Sequence, residues 1–186
     1  MAIIKTVLPE DATGEVAEIY EQAKNATGFI PNSFILLSAN PFILKQQWEY
    51  IGSIFRHKTI SNELTAAIRM LVSQSTECDY CIDLNTGMLI NKFGWTIDQV
   101  KATRDNYLNS PFQNKDKALL GLVLKAVKNS NKVNAEDIAS MHIHGWSDGD
   151  IFDAVTYGAK MVSADILINA FKVETELNPP IDSGKS

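Results

Sequence analysis

Apolar residues recur at intervals of three and four along nearly the whole chain, and the alternation of a half-buried strand is scarce. A chain with that single period can bury its stripes only helix against helix, so the expected fold class is all-α. Of its 186 residues 45% are hydrophobic, enough for a sizeable core in one domain or in two closely packed halves. The predicted domain spans 1–178, with a core over 32–173, an N-terminal helix over 13–27 and a flexible tail over 179–186.

Cap signals divide the helical pattern. Thr13 opens a first helix with Val16, Ile19, Tyr20 and Ala23 on one face and Gly28 past its end. Asn32 or Ser33 is the expected cap of a short apolar turn. Pro41 starts the next helix, with Phe42, Trp48, Ile51 and Phe55 or its neighbours stacked on one side. Ser61 caps a helix with the stripe Leu64, Ile68, Leu71 and Val72. Thr76 and Asp79 have capping-box spacing, which predicts a helix from Thr76 to Lys92, with Gly94 beyond. Thr96 with Gln99, Asn134, and Ser147 with Asp150 mark three further starts. Gly158 lies inside the last helix, where glycine costs about 1 kcal/mol against alanine, so close packing is expected there. "GWTIDQV" at Gly94–Val100 is echoed by "GWSDGDI" at Gly145–Ile151, which suggests two related helical units.

Several function classes drop out. The net charge is -5 with no long basic run, which argues against a nucleic-acid surface. No apolar run approaches the ~18 residues of a membrane span. The N-terminal residues lack the apolar core of a signal peptide, and a cytoplasmic location is expected. Glycine-rich phosphate loops, GxSxG and HExxH are absent. The acidic run Asp148, Asp150 and Asp153 falls in the first turns of a helix, where carboxylates complement the dipole.

The chemistry concentrates in "STECDYCIDLNTG", Ser75–Gly87, which holds the chain's two cysteines, Cys78 and Cys81, at CxxC spacing. The first turn of a helix offers unpaired N–H groups and a positive dipole end, which favour a thiolate. A thiolate attacks an oxidant to give a sulfenic acid, and a neighbouring thiol then closes a disulfide. The nearby anions Glu77, Asp79 and Asp83 oppose this, and Arg69 is the nearest cation in sequence. Two other readings exist. Both cysteines can be small buried apolar side chains. Both can be metal ligands, although no second CxxC or HxxxH completes a four-ligand zinc set, and His142 and His144 point to different sides of a helix. His57 reads as a surface residue.

The segment Leu64–Val100, and more loosely "PFIL" from Pro41 and Gly145–Phe171, resembles the carboxymuconolactone decarboxylase superfamily, in its alkylhydroperoxidase D-like, peroxidase-related branch. The resemblance implies an all-helical bundle built from two related helical units, assembled as a trimer or hexamer. It implies that Cys81 attacks peroxide and that Cys78 is its disulfide partner and proton donor. The family's relay histidine falls at Asn85 and its relay glutamate at Ala66, so both relay groups are missing. Such acid–base help is typically worth ~10²–10⁴ in rate. Glu63, one turn before Ala66, and Tyr80, between the cysteines, are the candidate substitutes.

The expected function is a thiol peroxidase or disulfide oxidoreductase of antioxidant defence. Its substrate would be a peroxide and its reductant a dithiol or lipoylated protein, in service of a peroxiredoxin, with no bound cofactor and no metal. The alternatives are a lactone decarboxylase, or a catalytically weakened helical assembly with a redox-sensitive disulfide.

Overall fold

The computed structural model describes residues 2–176, and among them it contains helices and no strand. The all-α expectation holds. The helices are α1 (Gly14–Thr27), α2 (Asn32–Leu37), α3 (Pro41–Phe55), α4 (Asn62–Ser75), α5 (Asp79–Asn91), α6 (Ile97–Asp105), α7 (Asn114–Asn129), α8 (Ala135–Ile143) and α9 (Asp148–Ala170). The described residues divide into two compact units, one of 2–57 with 167–176 and one of 58–166. The tail expected over 179–186 lies outside the described residues. No described helix is long and apolar enough to cross a membrane.

In the first unit α1 buries the predicted face, Val16, Ile19, Tyr20 and Ala23, and ends at Gly28 in the left-handed conformation (φ 87°). Those side chains close a core with Phe34 of α2 and Leu44 of α3. Tyr20 Oη donates to the Val7 carbonyl at 2.8 Å, which satisfies the one polar atom of a buried ring. Two expectations fail here. The N-cap of α2 is Pro31, without a side-chain cap bond, because Asn32 and Ser33 are already inside the helix. The buried face of α3 is Leu44 and Ile54, with Trp48 and Ile51 half-buried, while Phe42 is 63% exposed. Phe42 and Trp48 are six residues apart, which a 3.6-residue turn does not align.

In the second unit α4 is buried nearly all round, from Leu64 to Ser73, and packs chiefly on α5 and also on α7. A helix without a solvent stripe is a central one, and α4 is the post around which the site is built. Ser61 Oγ accepts from Leu64 N at 3.1 Å, the predicted cap. The two echoed connectors have matching geometry. Gly94 and Gly145 are left-handed (φ 75° and 82°), Trp95 and Trp146 turn back and are buried, and capping boxes Thr96–Gln99 and Ser147–Asp150 open α6 and α9.

Close packing at Gly158 is also present. A Cβ there would lie 2.6 Å from Val123 Cγ1 and 3.0 Å from Val127 Cγ2, both on α7.

Candidate active site

The site begins with the way α4 ends. Thr76 is the C-cap of α4, Glu77 follows in the left-handed conformation (φ 54°), and Cys78 N donates back to the Ser73 carbonyl at 3.0 Å. This is a Schellman closure with glutamate where glycine is usual. It overturns the predicted helix start: α5 opens at Asp79 with Cys78 as its N-cap, and Thr76 caps nothing there. The Thr76 hydroxyl is used elsewhere, donating to Asp165 Oδ2 at 2.6 Å. Cys78 therefore ends one helix and begins the next, and Cys81 sits one turn into α5, at the end with unpaired N–H groups.

Both cysteines are free thiols and both are buried, Cys78 at 0% and Cys81 at 2% exposure. Their sulfurs and a carboxylate oxygen of Asp165 lie within 4.8 Å of one another. Asp165 is on α9 and fully buried. Ser73 Oγ donates to its Oδ1 at 3.0 Å and Thr76 Oγ1 to its Oδ2. Each oxygen keeps a second lone pair for the thiols. The Cys81 thiol is pushed far above its ordinary value. The causes are first its hydrogen bond to the Cys78 sulfur, then burial, then the negative charge and hydrogen bond of Asp165. Cys81 thus rests as a protonated thiol, and it reacts only if something takes that proton. As metal ligands the three groups supply one donor fewer than a closed zinc site needs.

The other predicted residues have these places. Asn85 is fully buried on α5; its Nδ2 donates to the Cys81 carbonyl at 2.7 Å, and its Oδ1 has no partner. That bond fixes the amide's orientation, and an amide cannot accept the thiol proton. Ala66 is buried on α4. Glu63 accepts a hydrogen bond from Trp95 Nε1 and lies near Asp116, whose carboxyl is pushed up by burial first, eased by Lys115, and further raised by the Glu63 charge. Tyr80 is buried in the first turn of α5. Glu77 and Asp79 are exposed and Asp83 is half-buried. His142 is exposed and contacts Asp148 at 2.9 Å, while His57 and His144 are half-exposed.

Asp165 is the residue that sequence reasoning missed. Its signal was present: on α9 the buried positions Ile151, Ala154, Met161 and Ile168 form a helical stripe, and Asp165 occupies that stripe. A carboxylate at a core position is rare without a purpose.

No family model matches the chain. It is 29% identical over 86 residues to an alkyl hydroperoxide reductase of Mycobacterium tuberculosis, a match that covers 46% of this chain and 25% of that protein. Its backbone superposes on an uncharacterized peroxidase-related protein of Ralstonia eutropha, described as an alkylhydroperoxidase D core, with a TM-score of 0.84 at 19% identity, covering 95% of this chain and 93% of that one. The chain is alkylhydroperoxidase D-like in fold. The alkylhydroperoxidase D-like fold also carries other names: the debrominase Bmp8 superposes with a TM-score of 0.74 at 18% identity, covering 95% of this chain and 94% of its own. The helical architecture implied by the motif resemblance is thus found. Among the described residues, the positions where the motif resemblance places a relay hold an amide and a methyl group, and a different carboxylate stands beside the sulfurs.

Proposed function

We propose that the chain is a thiol oxidoreductase that reduces hydroperoxides with the Cys78–Cys81 pair. The observation that carries this reading is the convergence of the two sulfurs at the start of α5, close enough to close on each other with little rearrangement. The Cys81 sulfur attacks the terminal oxygen of the hydroperoxide, and the O–O bond breaks. The alcohol leaves with one proton and Cys81 becomes a sulfenic acid. The Cys78 sulfur then attacks the Cys81 sulfur, the S–O bond breaks, and water leaves with the second proton. The two thiols are oxidised, the peroxide is reduced, and a disulfide remains for a dithiol to reopen. A lipoylated protein is a dithiol of suitable chemistry, a peroxiredoxin a suitable downstream client, and a trimer or hexamer the assembly that the resemblance implies.

The test is peroxide consumption in a dithiol-coupled assay. Wild type turns over, and Cys81→Ser abolishes turnover. Equal rates in the two proteins would remove the reading. One observation favours the weakened helical assembly: both sulfurs are almost fully covered within the chain. That reading predicts a disulfide that forms with oxidant over many minutes and no steady turnover, which the same assay distinguishes.

A further inference from the structure

We infer that Asp165 is the proton carrier of the thiol pair: it takes the Cys81 proton as the sulfur attacks and delivers it to the departing oxygen. This rests on the peroxide-reducing reading above. Attack needs a base, and Asn85, Glu63 and the histidines do not supply one. Asn85 cannot accept a proton and is locked onto the Cys81 carbonyl. Glu63 is bonded to the Trp95 indole. The three histidines lie at exposed or half-exposed positions. Among the described residues, Asp165 is the carboxylate that groups with both sulfurs.

The environment of Asp165 is that of a working group more than of a structural one. A fully buried carboxylate is costly unless a cation pairs with it. Among the described residues, the partners of Asp165 are two hydroxyls and the thiols. An asparagine at this position would still accept one hydroxyl hydrogen bond without burying a charge. What asparagine would lose is the capacity to bind a proton. The hydroxyls of Ser73 and Thr76 each hold a different oxygen, which fixes the carboxylate against rotation, and Thr76 is itself fixed by the turn that places Cys78. One turn therefore positions the base and the first sulfur together.

The proton balance closes at one carboxylate. As the Cys81 S–H bond breaks, its proton passes to an Asp165 oxygen, and the sulfur's electron pair forms the S–O bond. The O–O electrons go to the leaving alkoxide, which receives the proton from Asp165 and departs as alcohol. The carboxylate is regenerated and serves again when the Cys78 thiol attacks and water leaves.

The test is Asp165→Asn, with three readouts. Peroxide turnover should fall about a hundredfold or more, the usual worth of a proton-transfer group. Alkylation of Cys81 by iodoacetamide at pH 7, measured with and without Asp165→Asn in a Cys78→Ser background, should slow about tenfold, because the group that takes the Cys81 proton has gone. The melting temperature should stay level, because asparagine has nearly the same shape and keeps a hydroxyl hydrogen bond. A merely structural aspartate predicts the opposite on the last two readouts: a lower melting temperature, and faster alkylation, because removal of a facing negative charge favours the thiolate. Turnover within threefold of wild type, or alkylation that does not slow, overturns the inference. If wild type itself consumes no peroxide, the functional reading fails, while the alkylation comparison still decides whether the carboxylate governs the Cys81 proton. Should Asp165→Asn fold poorly by circular dichroism, Asp165→Ser, which is small and cannot take a proton, carries the same three comparisons.

Discussion

Replacing Gly158 by alanine tests the packing that holds the site together. An alanine Cβ would sit 2.6 Å from Val123 Cγ1 and 3.0 Å from Val127 Cγ2, where real Cβ contacts begin near 3.4 Å. Both valines are β-branched on a helix and stiff at χ1, and Val123 is also fully buried, so its methyl has less room to yield than that of half-buried Val127. Overpacking of this kind costs about 1–3 kcal/mol. The glycine-to-alanine change returns about 1 kcal/mol of helix propensity. With the less yielding partner as the closer one, the net loss should be about 1–2 kcal/mol, a fall of roughly 2–8 °C in melting temperature for a chain of this size. The assay is urea unfolding of the single variants and of Gly158→Ala/Val123→Ala. Removing the Val123 methyls opens the space, so in that background Gly158→Ala should stabilise by about 1 kcal/mol, a coupling of about 2–3 kcal/mol between the positions. Gly121→Ala is the contrast: its Cβ would meet the hydroxyl end of Tyr107 at 2.6 Å, but that side chain is half-buried and can move, so the cost should be smaller. A functional consequence follows, because Asp165 is seven residues beyond Gly158 on the same face of α9. A helix pushed off α7 carries Asp165 with it, and peroxide turnover should fall in Gly158→Ala and recover in the double variant. If Gly158→Ala is stabilising by itself, or strictly additive with Val123→Ala, the close approach of α9 does not exist as described.

Two other outcomes are expected. The Cys81 thiol is raised, so the folded state keeps its proton at pH values where the unfolded chain, with a thiol near ~8.5, has lost it. The protons bound by the unfolded state then fall below those of the native state, and stability drops as pH rises through ~8.5 and beyond, by up to about 1.4 kcal/mol per pH unit; urea midpoints under reducing conditions at pH 7 and 9.5 should therefore separate more for wild type than for Cys81→Ala, and equal separations would refute it. Asn85→His places an imidazole at the position where the motif resemblance expects one and should raise peroxide turnover about tenfold or more, a gain read in the dithiol-coupled assay and contradicted by an unchanged rate.

The helical class, most helix starts, both glycine–tryptophan connectors and the cysteine pair were legible in the chain because each depends on residues within one turn of one another. Ser61, Thr96 and Asn134 cap as expected because a side chain bonding an N–H three residues on is a local event. Thr76 did not, although its spacing to Asp79 is the same. Its hydroxyl had a second suitor, a carboxylate on a helix 89 residues away, which no local pattern reports. The same gap explains the relay. The sequence points to Glu63, Ala66, Tyr80 and Asn85 on α4 and α5, since those helices carry the motif. The carboxylate found beside the sulfurs comes from α9.

Local chemistry by itself therefore determined that this chain is all-helical and that its two thiols share a helix start. Only the tertiary structure decided what faces those thiols, because a proton partner is chosen by distance in space. Two hydroxyls, of Ser73 and Thr76, hold that buried carboxylate in place.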